Sequence, residues 1–126
     1  MKTLVVYYSR TGTTRKVAEA IAGILRCDIE EVVDTKKRSG ILGWLRSGRD
    51  AGSKKLTTIE KIKMHPNLYD VVIIGTPVWN NKMSTPIRTY ISECREHFKE
   101  VAFFCTQDGS ENAAFKDMKF YAAKSQ

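Results

Sequence analysis

The chain has 126 residues, 42% of them apolar, and a formal charge of +7. That composition fits a single globular domain spanning 1–126 and argues against a disordered chain. No apolar run approaches the ~20 residues needed to span a bilayer, and Leu4–Tyr8 is too short for the apolar core of a signal peptide, so the expectation is a cytoplasmic protein.

Thr3-Leu4-Val5-Val6-Tyr7-Tyr8 reads as a buried strand that runs straight into a hydroxyl-rich turn, Ser9-Arg10-Thr11-Gly12-Thr13-Thr14. A helix over about 14–25 follows, with Val17, Ala18, Ile21, Ala22 and Leu25 on one apolar face. Cys27–Val33 reads as a second strand. Asp28, Glu30 and Glu31 interrupt its apolar run, which suits a sheet edge. From about 34 to 67 the chain turns polar and basic. Residues 34–64 hold nine Lys or Arg against three acids, six of the seven excess positive charges. This excursion is longer than the usual ~2–6-residue connection. Ile41, Leu42, Trp44 and Leu45 hint at one short helix in it, and Leu56, Ile59, Ile62 and Lys63 at another.

Tyr69–Gly75 is continuous and β-branched, the mark of a central strand. A second loop, Thr76–Met83, leads to a helix capped by Thr85 and begun by Pro86. Ile87, Tyr90, Ile91, Cys94 and Phe98 form its buried face. Glu100–Cys105 is a fourth strand, Thr106–Ser110 a third loop, and about 111–122 a last helix. Cys27, Cys94 and Cys105 are odd in number and far apart, without a CxxC pair, so neither a zinc site nor a disulfide framework is indicated. His65 and His97 each read as ordinary surface or half-buried histidines.

Alternation of strand and helix predicts a three-layer α/β/α fold with a mostly parallel sheet. In such sheets ligands bind beyond the carboxyl ends of the strands. The loops starting at Ser9, Thr76 and Thr106 leave their strands at that end. A helix start exposes about four N–H groups and about half a positive charge, so the first turn suits a phosphate. Ser9, Thr11 and Thr14 add hydroxyls. The turn has no GxGxxG, no GxxxxGK[ST] and no cysteine nucleophile, and Tyr8 and Gly75 stand where a receiver domain needs acids.

What remains, [ST]-x-T-G-x-T between a strand and a helix, resembles the FMN-phosphate loop of the flavodoxin family. Gly75-Thr76-Pro77-Val78-Trp79 resembles that family's second flavin loop, and Thr106–Ser110 stands where the third belongs. The resemblance runs in order from residue 3 to about 122. It implies FMN as cofactor, bound by Ser9, Arg10, Thr11, Gly12, Thr13 and Thr14, by Thr76, Pro77, Val78, Trp79, Asn80 and Asn81, and by Thr106, Gln107, Asp108 and Gly109. Trp79 would stack on the flavin, and Asn80 and Asn81, tolerant of left-handed backbone, would turn a peptide toward it. No catalytic acid or base and no metal is implied. Hydrogen bonds to a charged phosphate contribute roughly 1.5–3 kcal/mol each, so four or five could hold FMN without a lysine.

Two features depart from the family pattern. The expected strand order is 2-1-3-4, with the fifth strand and final helix apparently missing. Val101–Phe104 would then be an exposed edge, covered in a homodimer or in a longer domain. The basic segment also contrasts with the acidic face of electron-carrying flavodoxins. An acidic redox protein, the phosphates of NAD(P)H and plain solvent all stay open as its partner. No helix-turn-helix pattern or aromatic-interleaved groove supports nucleic acid. The leading function is an electron-transfer flavoprotein. An NAD(P)H-dependent flavin or quinone oxidoreductase on the same scaffold is the alternative, and a flavin-free interaction module a third. Cys105 reads as a buried small apolar residue or as a thiol beside the flavin.

Overall fold

Leu4, Val5 and Val6 have no exposed surface, so β1 (Thr3–Tyr7) is buried on both faces. Such a strand needs parallel neighbours with helices above and below. The computed structural model describes residues 1–35, 56–79 and 82–106. In it, β1 pairs in parallel with β2 (Asp28–Glu31) on one side and β3 (Val71–Trp79) on the other. A short β4 (Lys82–Met83) folds back antiparallel on the end of β3, with Val78 opposite Met83. β5 (Glu100–Thr106) pairs in parallel with β3, from Val71 opposite Glu100 to Pro77 opposite Thr106. The main path β2-β1-β3-β5 is the expected parallel order, and β4 is an unforeseen addition.

The two helices take opposite faces. α1 (Thr13–Leu25) packs Ala18 and Ala22 against Val5, Tyr7, Ile73 and Phe104. α2 (Thr85–Cys94) packs Ile87, Tyr90, Ile91 and Cys94 with Leu4, Val6, Val72 and Ile74. The period-two alternation of a strand sends Phe103 and Cys105 to the α2 side and Phe104 to the α1 side. Phe104 covers Gly75: a Cβ there would lie 2.0 Å from the ring. Among the described residues no helix is long and apolar enough to cross a membrane.

Several expectations change in detail. On α1 the buried positions are Thr14, Ala18 and Ala22, while Val17 and Leu25 are exposed. Small side chains let the helix lie close to the sheet, which leaves Val17 and Leu25 outside the contact. β2 is shorter than expected. Its Glu30 is nonetheless buried, because its carboxylate accepts the N–H groups of Lys63 and Met64, each at 2.7 Å. The 56–64 stretch is not helical. Ile59 bridges antiparallel to Asp34, and Glu60 N–H donates to Val33 O at 2.8 Å. β3 continues through Thr76–Trp79, where a loop was expected, because β4 and β5 supply hydrogen-bond partners that the sequence does not display. Ser84, not Thr85, is the N-cap of α2, and Pro86 is its second residue. β5 extends to Thr106. His65 and His97, distant in sequence, meet edge to face with ring centroids 4.8 Å apart. Trp44 and the expected helices near 41–45 and 111–122 lie outside the described residues.

Candidate functional site

The first loop is built around one backbone conformation. Gly12 takes φ 105° and ψ −11° at the N-cap of α1, a region that side chains other than glycine's rarely tolerate. Among the described residues nothing lies within 4 Å of where its Cβ would be, which leaves room for a ligand there. Gly12 N–H donates to Ser9 Oγ at 3.0 Å, and Gly12 O accepts from Lys16 N–H at 3.1 Å, the first bond of the helix. No side chain caps the start of α1, and its first turn carries no acid. Thr14 is almost fully buried there, and its Oγ1 lies 2.7 Å from Oγ1 of Thr106 at the end of β5. Among the described residues, Arg10 Nε is buried without a hydrogen-bond partner. Arg15 reaches away to the end of β2, donating from Nη2 to Glu31 Oε2 at 2.7 Å. That bond to Glu31, aided by one to Tyr7, pushes the Arg15 pKa up.

The second loop differs. Thr76 and Ser84 have no exposed surface. Thr76 Oγ1 accepts from Ser84 N–H at 2.9 Å and lies 2.9 Å from both Pro77 O and Ser84 Oγ as a donor. The hydroxyl of Thr76 is thus engaged within the protein, and what it can offer a ligand is backbone. Trp79, 5% exposed, meets Tyr8 edge to face at 5.5 Å, in one apolar cluster with Met83 and Ile87. Cys105 packs against the same cluster, and burial pushes its thiol up to about 11.

The structure therefore joins Ser9 to Gly12 and Thr14 to Thr106, and sets Trp79 on Tyr8. Thr11 lies in the same first loop, Thr13 is the first residue of α1, and Pro77 and Val78 lie within β3. Asn80, Asn81, Gln107, Asp108 and Gly109 are outside the described residues. Sequence reasoning missed Tyr8 and Ser84. Tyr8 reads as the last residue of a strand, and Ser84 was hidden by the stronger Thr-Pro helix signal beside it.

A family profile for flavodoxin matches residues 2–123. The chain belongs to the flavodoxin family. Among solved structures, a flavoprotein of Lactobacillus acidophilus in complex with FMN is similar at 28% identity, with a TM-score of 0.78, over 97% of this chain and 86% of that one. The apo-form of the flavoprotein from that species gives 29% identity and a TM-score of 0.71, over 98% and 85% of the two chains. A Bacteroides eggerthii protein described as a flavoprotein is 31% identical with a TM-score of 0.78, over 86% and 72%.

The first loop of this flavodoxin fits the phosphate of FMN on three of its own features. Among the described residues, the start of α1 has no side-chain cap, the space over Gly12 is open, and a buried guanidinium nitrogen lacks a partner. A dianion supplies only acceptors and negative charge, which is what a helix N-terminus and a guanidinium call for.

Proposed function

We propose that this flavodoxin is an electron carrier that works through FMN, held at its phosphate by the Ser9–Thr14 loop. The observation that carries the reading is Gly12, left-handed at an uncapped helix start with Ser9 Oγ accepting its N–H. Bound FMN would supply the uptake and release of single electrons. The residues of the chain do the rest. Ser9 fixes the turn, Gly12 lets the backbone approach the phosphate, and Thr14 and Arg10 offer it donors. Tyr8 and Trp79, buried and edge to face, close the sheet end against water on the α2 side. The side chains gathered here are hydroxyls, aromatic rings and a permanently charged guanidinium. Among these described residues the roles are binding and orientation, which suits a carrier. The basic 34–64 segment would steer an acidic redox partner, an attraction that fades as salt rises above ~0.1 M.

The test is a visible spectrum followed by stopped-flow mixing with NADPH. The expected result is a yellow protein whose flavin absorbance NADPH does not bleach within seconds. Fast bleaching would replace the carrier reading with that of an NAD(P)H-dependent reductase. A colourless chain that takes up no FMN would end the flavin reading altogether.

A further inference from the structure

Thr106 closes β5, yet its hydroxyl belongs to the first loop: Oγ1 lies 2.7 Å from Oγ1 of Thr14, across 92 residues of chain. A hydroxyl has one proton to give and two lone pairs to receive with. The pair therefore has two arrangements. If Thr14 donates to Thr106, Thr14 has no proton left for a ligand. If Thr106 donates to Thr14, the Thr14 proton is released to point elsewhere. An anion beside Thr14 selects the second arrangement, since it can only accept, and a charge-assisted bond is roughly twice as strong as a neutral one. The bond from Thr106 then polarises the Thr14 hydroxyl and strengthens its donation in turn.

We propose that Thr106 is a positioning residue for the phosphate of FMN, acting by donating to Thr14 Oγ1 and so turning the Thr14 proton toward the phosphate. The inference rests on the FMN reading above and adds a role to it. Thr106 opens the loop expected to serve the flavin ring, but its hydroxyl serves the other end of the ligand. With its single proton committed to Thr14, it offers the ring only lone pairs.

The experiment compares FMN with riboflavin, which has the same ring and no phosphate. The full chain is titrated with each flavin, following quenching of flavin fluorescence, for wild type, Thr106→Val, Thr106→Ser, Thr14→Val and the double valine variant. Thr106→Val should weaken FMN up to about fourfold, because the Thr14 bond to the phosphate loses the polarisation that Thr106 supplies, and leave riboflavin unchanged. Thr106→Ser should restore FMN affinity to within about twofold, since it keeps the donor. In the Thr14→Val background, Thr106→Val should have no further effect, because the group it orients is gone. A merely structural role would weaken both flavins alike and persist without the Thr14 hydroxyl. That result, or an unchanged FMN preference in Thr106→Val, overturns the proposal. If Thr106→Val does not fold, Thr106→Ala against Thr106→Ser carries the same contrast. A wild-type chain that binds riboflavin as tightly as FMN overturns the phosphate reading underneath, so the two failures remain distinct.

Discussion

The two faces of the sheet use the same residue types at the carboxyl ends of their strands in opposite ways. On the α2 side, Thr76 and Ser84 are wholly buried and satisfy one another. On the α1 side, Ser9 and Thr106 are half-buried, and among the described residues each hydroxyl makes one hydrogen bond, which leaves bonding capacity over. A hydroxyl at a strand end is therefore not in itself a ligand group. What decides is whether the fold has already used its proton and lone pairs. By that criterion the α2 side is a structural clamp on the hairpin, and the α1 side is the receptive one.

The receptive side is open only in its last layer, and one residue below it the packing is tight. Gly75→Ala tests this and should have the largest effect. The new Cβ would collide with the Phe104 ring, with Cζ at 2.0 Å. We expect a loss of about 3 kcal/mol, the upper part of the usual range for overpacking, seen as a lower thermal midpoint. Adding Phe104→Leu should recover part of it. Wild-type stability in Gly75→Ala would mean that the α1 face is loose throughout and that the contrast between the faces is wrong.

Thr76→Val, on the clamped side, should come next. It removes the acceptor for Ser84 N–H at a site with no exposure. Leaving that donor unsatisfied costs about 2 kcal/mol of folding stability. FMN affinity of the folded protein should stay within about twofold, because a hydroxyl engaged inside the protein has no bond to lose to a ligand. A variant of normal stability with weakened FMN would show that Thr76 belongs to the receptive set after all. Chemical denaturation beside an FMN titration separates these outcomes.

The distinction between the faces was not legible in the sequence, although the scaffold was. Strand β1, its turn and α1 announce themselves, because an apolar run, a glycine and a helical period lie side by side. Thr76 looked like a loop residue for a physical reason: its strand status depends on β4 and β5, contributed from elsewhere in the chain. Ser84 lost its cap role to Thr85 because Thr-Pro is the stronger local signal, yet the cap was set by which residue took an extended backbone. Glu30 weakened the second strand on paper. Only the Lys63 and Met64 N–H groups, more than thirty residues on, explain its burial. Local propensity placed the elements, and long-range hydrogen bonds decided which polar groups were already in use.

The last test probes the boundary between the faces at adjacent residues of β5. Thr106 turns to α1, while Cys105 packs toward α2, where burial pushes its thiol from 9.0 up to about 11. A pKa raised by folding adds stability that is fully present below the unfolded value and is lost as pH rises through the folded one. The unfolded thiol ionises first, from near 8.5–9, and favours unfolding as it does so. Wild type should therefore lose stability relative to Cys105→Ala between about pH 9 and 11, and the two should run parallel below pH 8. Subtracting the variant removes the contributions of Tyr69 and Cys94, whose pKa values are pushed up to about 12. The same shift leaves little thiolate at pH 8, so iodoacetamide should modify Cys105 on the order of a hundredfold more slowly than a free cysteine. Modification at the rate of a free thiol, with no pH-dependent gap between wild type and Cys105→Ala, would show that the α2 side opens to solvent beside the flavin site. The receptive surface would then have to include both faces of β5.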